Sequence, residues 1–553
     1  MTTSAETFDY IIVGSGAAGS ALAYRLAQVA GTKVLVLEQG PQDRNPLHRV
    51  PKGFFFTLDG NRYADHYLTE PIAGTERQET WTRGKVVGGS TTVNGMMYSR
   101  GAQADFEALA AHAGASHWGW ESVLAAYRAI EDHGLGASAM RGAGGPLGVS
   151  ADGPRGELAD RIFAAATEIG WERVLDINDG DGERIGYTPS TVKNGRRVSA
   201  ASAFLRPSIR TGNVKLMTGI RVARVLIRDG RAYGVEGFRG RTRVEFHARE
   251  EVVVAGGTVE SPLLLERSGI GRPEVLRRLG IAVNVESPNV GERVIEQHSS
   301  GAVQVRLNRR LGSTEQLNSL LKQGIRGAMY LLTRQGPIAR AGYDFTFHCK
   351  SEPGLARPDL NGAVTPFALD PTAGKMKLAD HSGLLVGMYQ TRPETASAIH
   401  SSSSDPFAAP VISPRYFETD TDRRAVSRVL GRVREYLATG PLADIIDGED
   451  FPGAAVSSDP ATAVERGRVS GGTIYHAVGS CALGPNGEDV VDDRLRVRGV
   501  SGLRVVDASV LPFQVSANTA APVMAIGWMA GDLIRDDATR PSDHDAPTAS
   551  TAP

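Results

Sequence analysis

The chain has 553 residues, 41% hydrophobic and 22% charged, and its 61 basic against 62 acidic side chains leave a formal charge of −1. That composition excludes a disordered polymer and a globally basic surface for nucleic acid or anionic lipid, and the length admits two to four domains. Two cysteines, Cys349 and Cys481, are too few for a disulfide framework or a zinc cage.

The chain begins MTTSAETFDYIIVG, with acidic residues where a secretory signal has a basic region, and no window reaches the roughly 18 apolar residues of a spanning helix. A soluble cytoplasmic protein without a metal site is expected. Phe8 to Val13 reads as a buried parallel strand, Ala17 to Ala27 as a helix and Lys33 to Leu37 as a second strand, together a β-α-β unit. Helices are expected at Asp105 to Ala113, Glu121 to Glu131 and Glu157 to Ile169, separated by glycine-rich loops. Residues 214–254 read as strands, VKLM, ARVLI, AYGVEGF, TRVEFHA and EEVVVAG, with a turn at Asp229-Gly230 and a helix following at Ser261 to Arg267. The stretch 306–464, with its polar loop His400 to Asp405, is the candidate for a separate domain. LRVVD is a further strand ending at Asp507, and a small-residue helix begins near Ala521-Pro522. The polar, proline-rich sequence after Arg535 reads as a disordered tail.

The 65 glycines cluster in four blocks, around positions 14–19, 84–101, 256–271 and 471–484. In the first, Gly14-Ser15-Gly16-Ala17-Ala18-Gly19 joins strand to helix and Glu38 closes the next strand. Gly14 permits a tight turn, Gly16 a close backbone approach to a pyrophosphate and Gly19 helix-strand packing, while Glu38 is suited to a ribose diol. This block alone leaves nicotinamide and flavin dinucleotides equally open. WTRGKVVGGSTTVNGMMYSRG at 81–101 combines glycines, small hydroxylated residues and Asn94, a composition suited to a flat ligand and equally to a tight glycine loop. VVVAGGTVESPLLLERSGIG at 252–271 is a strand, a Gly-Gly turn and a helix entry. In the fourth block His476 lies in a glycine-bounded stretch, open to a structural role or to work as a base. Asn518-Thr519 precedes the small-residue helix, whose N-terminus is suited to negative charge developing on a bound ring. Phe54, Phe55, Phe56 and Tyr475 are candidates for an apolar pocket or for the core.

Together the four blocks resemble the glucose-methanol-choline oxidoreductase family of flavoenzymes, over essentially the whole chain except 306–464 and the tail. GKVVGGSTTVNGMMYSRG and GGTVESPLLLERSGIG are similar to the two family signatures, NVGERVIEQHSS at 289–300 to a further family segment, and YHAVGSCALG with VVDDRLRVRGVSGLRVVDASVLP and SANTAAP to the C-terminal catalytic block. The resemblance implies an α/β protein, α+β overall. Its Rossmann-like FAD-binding domain is drawn from 1–305 and 465–536, with inserted segments near 45–80 and 105–200 on the substrate side. A substrate-binding domain at 306–464 is built on an antiparallel sheet with helices, and the disordered tail covers 537–553.

It further implies FAD with its adenosine on Gly14 to Gly19 and Glu38, its adenine near Val222, and its isoalloxazine near Asn94, Gly95, Met96, Met97, Asp507, Ala508, Asn518 and Thr519. Gly88 and Ser90 of the first signature join the cofactor set. The catalytic pair falls on His476 as base and Asn518 as the holder of the substrate oxygen. Members with a covalent flavin carry histidine just before the asparagine, where this chain has Val93, which implies a noncovalent cofactor. Gln297-His298 replaces the more usual aspartate-histidine pair, and His298 is left outside the catalytic set. WGWESVLAAY at 118–127, RVSAASAFL at 197–205 and HSSGAV at 298–303 look most like the bacterial hydroxymethylfurfural and aryl-alcohol oxidase branch. The implied reaction is oxidation of a primary, aromatic or furanic alcohol, with O2 or another electron acceptor. The alternatives are an FAD-containing hydroxynitrile lyase and a choline-type dehydrogenase.

Overall fold

The computed structural model describes residues 7–373 and 377–539. The apolar run Thr7–Val13 forms the centre of a seven-stranded sheet, flanked on one side by Val34–Glu38 and Val214–Thr218, all parallel. On the other side lies Thr242–Val254, followed by Arg231–Arg239 and Ile220–Arg228 in antiparallel order. The helices Ala17–Leu26 and Ala520–Thr539 cover this sheet, and Gly527 lets them approach so closely that a Cβ there would stand 2.4 Å from the Ala18 carbonyl oxygen.

TRVEFHA and EEVVVAG, expected as two strands, form one strand of 13 residues. Its first half pairs antiparallel in the outer hairpin, and its Val252–Val254 end pairs parallel with Thr7–Val13 and with Leu503–Val505. The charges that break the apolar pattern are answered from distant chain: Arg504 forms a two-pronged ion pair with Glu251, and Arg249 pairs with Asp9. The turn at Asp229-Gly230 has both residues at positive φ, as a tight hairpin requires.

The second sheet has eight strands. In order they are Ile446–Phe451, His298–Leu307, Gly383–Gln390, Leu360–Thr365, Phe345–Cys349, Arg184–Tyr187 and Glu172–Arg173, with Gly472–Thr473 beside His298. All pairs but the last in that order are antiparallel. Alternation gives it two faces: Leu360, Val364, Leu384, Val386 and Met388 pack on the helices Glu157–Glu168 and Asp420–Leu437. Asn361, Ala363, Thr365, Leu385, Gly387 and Tyr389 face the first sheet's domain across a cavity.

Two boundaries differ from expectation. The strand His298–Leu307 crosses the 305/306 division, while residues 157–187, within the 105–200 stretch expected on the substrate side, contribute a helix and two strands to the second domain, its sheet edge being completed by chain far away in sequence. The closing helix runs to Thr539, so residues 537–539, expected in the tail, are helical; Asp537 is anchored by Arg494 and Arg504. The rest of the expected tail, 540–553, lies outside the described residues. No helix among the described residues is long and apolar enough to cross a membrane.

Candidate active site

Between the two domains lies a cavity of about 710 Å³. Gly14 has φ +111°, and a Cβ there would stand 2.2 Å from the Ala255 carbonyl oxygen, so the strand-to-helix turn is closed to any larger residue. Gly19 packs likewise, its Cβ position 2.1 Å from the Gly14 carbonyl oxygen. At Gly16 nothing stands within 4 Å of the Cβ position, and the residue lines the cavity with Gly14, Ser15, Ala17 and Ala18. The start of the first helix thus presents backbone and partial positive charge to open space, which suits a pyrophosphate. Glu38 lines the same space. Its carboxylate accepts the Ser15 N–H at 3.1 Å, the Ser15 hydroxyl at 2.6 Å and the Gly40 N–H at 2.8 Å, while burial pushes its pKa up.

Val222, Ser90, Asn94, Gly95, Met96, Met97, Asp507, Ala508, Asn518 and Thr519 also line this cavity. Two sequence-singled glycines do not: Gly19 lies behind the loop, and Gly88 donates its N–H to the Ser15 carbonyl at 3.1 Å. Asp507 ties two segments together, accepting from Gly257 N–H and Ser261 hydroxyl of one and from Ser509 N–H of its own. This carboxylate from a distant strand is why the helix expected from Ser261 begins at Gly257. Asn94 is oriented by Arg197, which donates to its Oδ1 at 2.9 Å and to the Thr91 carbonyl at 3.2 Å. Burial holds the Arg197 guanidinium down to about 9.

His476 sits in a loop after the short strand Gly472–Thr473, and the preceding Tyr475 has a left-handed φ of +69°. Ile295 and Val478 exchange backbone hydrogen bonds at 3.0 Å, bringing the 289–300 segment against this loop. Its consequence is at Nδ1 of His476, which lies 2.8 Å from Gln297 Oε1. The Gln297 amide has only one workable orientation, because its Nε2 donates to the carbonyls of Thr391 at 2.5 Å and Val515 at 3.5 Å. Oε1 is therefore an acceptor, Nδ1 carries the proton, and the lone pair is on Nε2, to which Asn518 Nδ2 donates at 3.1 Å. Burial, helped by the charge of Arg83, lowers the His476 pKa to about 3, so the ring is neutral and its Nε2 unprotonated. Glu296 accepts the His476 N–H at 2.8 Å, and burial raises its carboxyl to about 7 against the pull of Arg83.

His298 is outside this arrangement. It is buried, neither ring nitrogen has a hydrogen-bond partner among the described residues, Nε2 lies 3.9 Å from Glu79 Oε2, and the ring packs against Tyr416 and Phe417. Phe54 and Tyr475 line the cavity, Phe55 stacks beside Phe54, and Phe56 is 70% exposed, in neither pocket nor core. Gln297, Glu296, Arg197 and Tyr389 are the site residues that sequence reasoning missed. For Gln297 a signal existed, the departure from the aspartate-histidine pair, but its contact with His476 spans 179 residues and has no trace in spacing. No group of three or more His, Cys, Asp or Glu side chains able to hold a metal exists among the described residues.

A glycine turn on a helix N-terminus, an acid closing the next strand and an antiparallel sheet roofing a neutral histidine define a dinucleotide-cofactor enzyme with a two-domain α/β architecture. Family models described as GMC oxidoreductase match residues 8–313 and 393–527. An oxygen-dependent choline dehydrogenase of Rhizobium johnstonii is 34% identical over 531 residues, covering 95% of both chains. An uncharacterized GMC-type oxidoreductase of Mycobacterium tuberculosis is 36% identical, covering 95% of this chain and 99% of its own. Among solved structures, pyridoxine 4-oxidase from Mesorbium loti has a TM-score of 0.85 and 27% identity, covering 96% of this chain and 99% of its own. The chain belongs to the GMC oxidoreductase family and is an FAD-dependent oxidoreductase of alcohols, an oxidase or dehydrogenase.

Proposed function

We infer that the chain oxidises a primary aromatic or furanic alcohol, with His476 as the base and Asn518 as the holder of the alcohol oxygen. The observation that carries this reading is the fixed tautomer: an unprotonated Nε2 faces the Asn518 amide inside the cavity. The residues fit the cofactor, since the Cβ-free space at Gly16 and the acid at Glu38 suit the adenosine diphosphate half. In this reading Gly14 to Ala18 and Glu38 hold that half, Val222 lies by the adenine, and Asn94 to Met97, Asp507, Ala508 and Thr519 surround the ring system. When bound, FAD supplies the acceptor for the carbinol hydride. The hydroxyl proton goes to His476 Nε2, Asn518 Nδ2 donates to the oxygen as it gains charge, and the buried walls exclude water. The position before Asn94 is Val93, with no atom for a covalent bond, and the cofactor is held noncovalently.

Phe54, Tyr343, Tyr389 and Tyr475 line the substrate side and suit an aromatic ring. Arg83 lines it too, its guanidinium 3.6 Å from the Glu296 carboxylate. The test is anaerobic: benzylic, furanic and aliphatic alcohols are added to the flavoprotein and the flavin bands are followed. Bleaching by benzylic or furanic alcohols, lost in His476→Ala with FAD retained, is the expected result. Cleavage of an aromatic cyanohydrin to aldehyde and cyanide without flavin reduction would move the protein to the lyases, and unchanged reduction in His476→Ala would remove the assigned base. Readmitting air then separates O2 from another electron acceptor.

A further inference from the structure

Alternation along the second sheet brings mostly small or apolar side chains to the cavity, Ala363, Leu385 and Gly387 among them. Among the polar side chains on this wall, Asn361 and Tyr389 stand directly opposite each other on adjacent antiparallel strands. Asn361 is 0% exposed, yet neither its Oδ1 nor its Nδ2 has a partner among the described residues. The Tyr389 hydroxyl is buried and equally unpartnered. Buried amides and hydroxyls are almost always satisfied, because leaving one without a partner is destabilising. Three such atoms side by side on a cavity wall are explained if a ligand completes them. The wall is that of the active site, since the Tyr389 and His476 rings lie 6.2 Å apart between centroids.

The atoms also define what they accept. Asn361 Nδ2 and the Tyr389 hydroxyl are two donors for one oxygen, and Asn361 Oδ1 is an acceptor for a hydroxyl proton. Burial and the neighbouring Tyr343 and Glu296 keep the Tyr389 hydroxyl protonated, so it stands as a donor, and neither it nor the Asn361 amide carries charge to pair with an ion. We propose that Asn361 and Tyr389 form a recognition site for a second, neutral oxygen function of the substrate, a hydroxyl or carbonyl carried apart from the carbinol that is oxidised. This rests on the alcohol-oxidation reading and specifies its substrate as bifunctional.

The experiment compares meta- and para-benzenedimethanol with the corresponding methylbenzyl alcohols, as the second-order rate constant for anaerobic flavin reduction, the limiting reduction rate over Kd, corrected for the two equivalent carbinols. Wild type, Asn361→Leu and Tyr389→Phe are each measured, with thermal unfolding alongside. The wild type is expected to favour at least one diol by about tenfold or more, and each substitution to draw that ratio toward one. Asn361→Leu should keep or raise Tm, because it replaces an unpartnered buried amide by an apolar group. Tyr389→Phe removes a single hydroxyl and keeps the test decisive if the leucine variant does not fold. A wild type indifferent to the second hydroxyl, or a preference that survives both substitutions, would overturn the proposal. If methylbenzyl alcohols bleach the flavin but the diols gain nothing, only this inference fails. If no alcohol bleaches it, the alcohol reading fails and this inference with it.

Discussion

Gln297 is a positioning residue for His476, and its replacement tests the tautomer argument directly. It is wholly buried, it accepts from Nδ1 at 2.8 Å, and its amide nitrogen is committed to the Thr391 and Val515 carbonyls. Gln297→Leu leaves the Nδ1–H without an acceptor, so the proton is free to move to Nε2, the atom proposed to receive the substrate's proton. Losing one buried hydrogen-bond partner amounts to about 1–3 kcal/mol, or about 5- to 150-fold in the rate constant for flavin reduction. Gln297→Glu supplies a readout that a merely structural role would not move. A carboxylate facing Nδ1 favours the imidazolium, raising the His476 pKa from about 3, so reduction falls at acid pH where the wild type stays flat. Stopped-flow reduction under anaerobic conditions across the pH range measures both effects. A Gln297→Leu enzyme at the wild-type rate, together with a Gln297→Glu profile superimposed on the wild type, would refute the reasoning.

The remaining predictions concern the glycine loop, the proposed role of Asn518 and a distant ion pair. Gly16→Val meets no protein atom within 4 Å of its Cβ, so the Tm of the FAD-free protein should hold while FAD is retained less tightly, as read by gel filtration and flavin absorbance. Asn518→Ala should slow flavin reduction by about 10²- to 10³-fold with little change in the absorbance of bound flavin; a smaller loss than tenfold would count against its role as oxygen holder. His400 closes the strand Ala398–His400 and bonds Glu266 at 2.7 Å and Glu292 at 3.2 Å. Burial opposes its charged form, but those two carboxylates override it and raise its pKa to about 9. Because the folded value lies above the unfolded one near 6.5, its contribution is complete below about pH 6.5 and fades as pH rises through 9. That contribution is at most about 3 kcal/mol. Denaturant melts of His400→Gln should therefore fall below wild type at pH 6 and converge with it by pH 10.

Much of the nucleotide-binding half was legible in the sequence because its chemistry is local. Gly14, Gly16, Gly19 and Glu38 lie within one β-α-β unit, and their constraints, a left-handed turn, an open backbone and a close packing contact, act between near neighbours in the chain. The second half was not legible for the opposite reason. The sheet His298–Leu307 to Arg184–Tyr187 gathers strands from three separate stretches, and its two faces are told apart only when the helices Glu157–Glu168 and Asp420–Leu437 cover one of them.

The sequence by itself determined the family, the cofactor class and the identities of His476 and Asn518 as candidates, since motif order and residue type carry that information. Only the tertiary structure decided the tautomer of His476. Hydrogen-bond direction at His476 is set by Gln297, whose own orientation is set by two backbone carbonyls contributed from Thr391 and Val515, and none of these residues is near His476 in the chain. The same holds for Asn361 and Tyr389, whose meaning depends on what they lack: an unpartnered polar atom is a property of three-dimensional packing and has no counterpart in residue order.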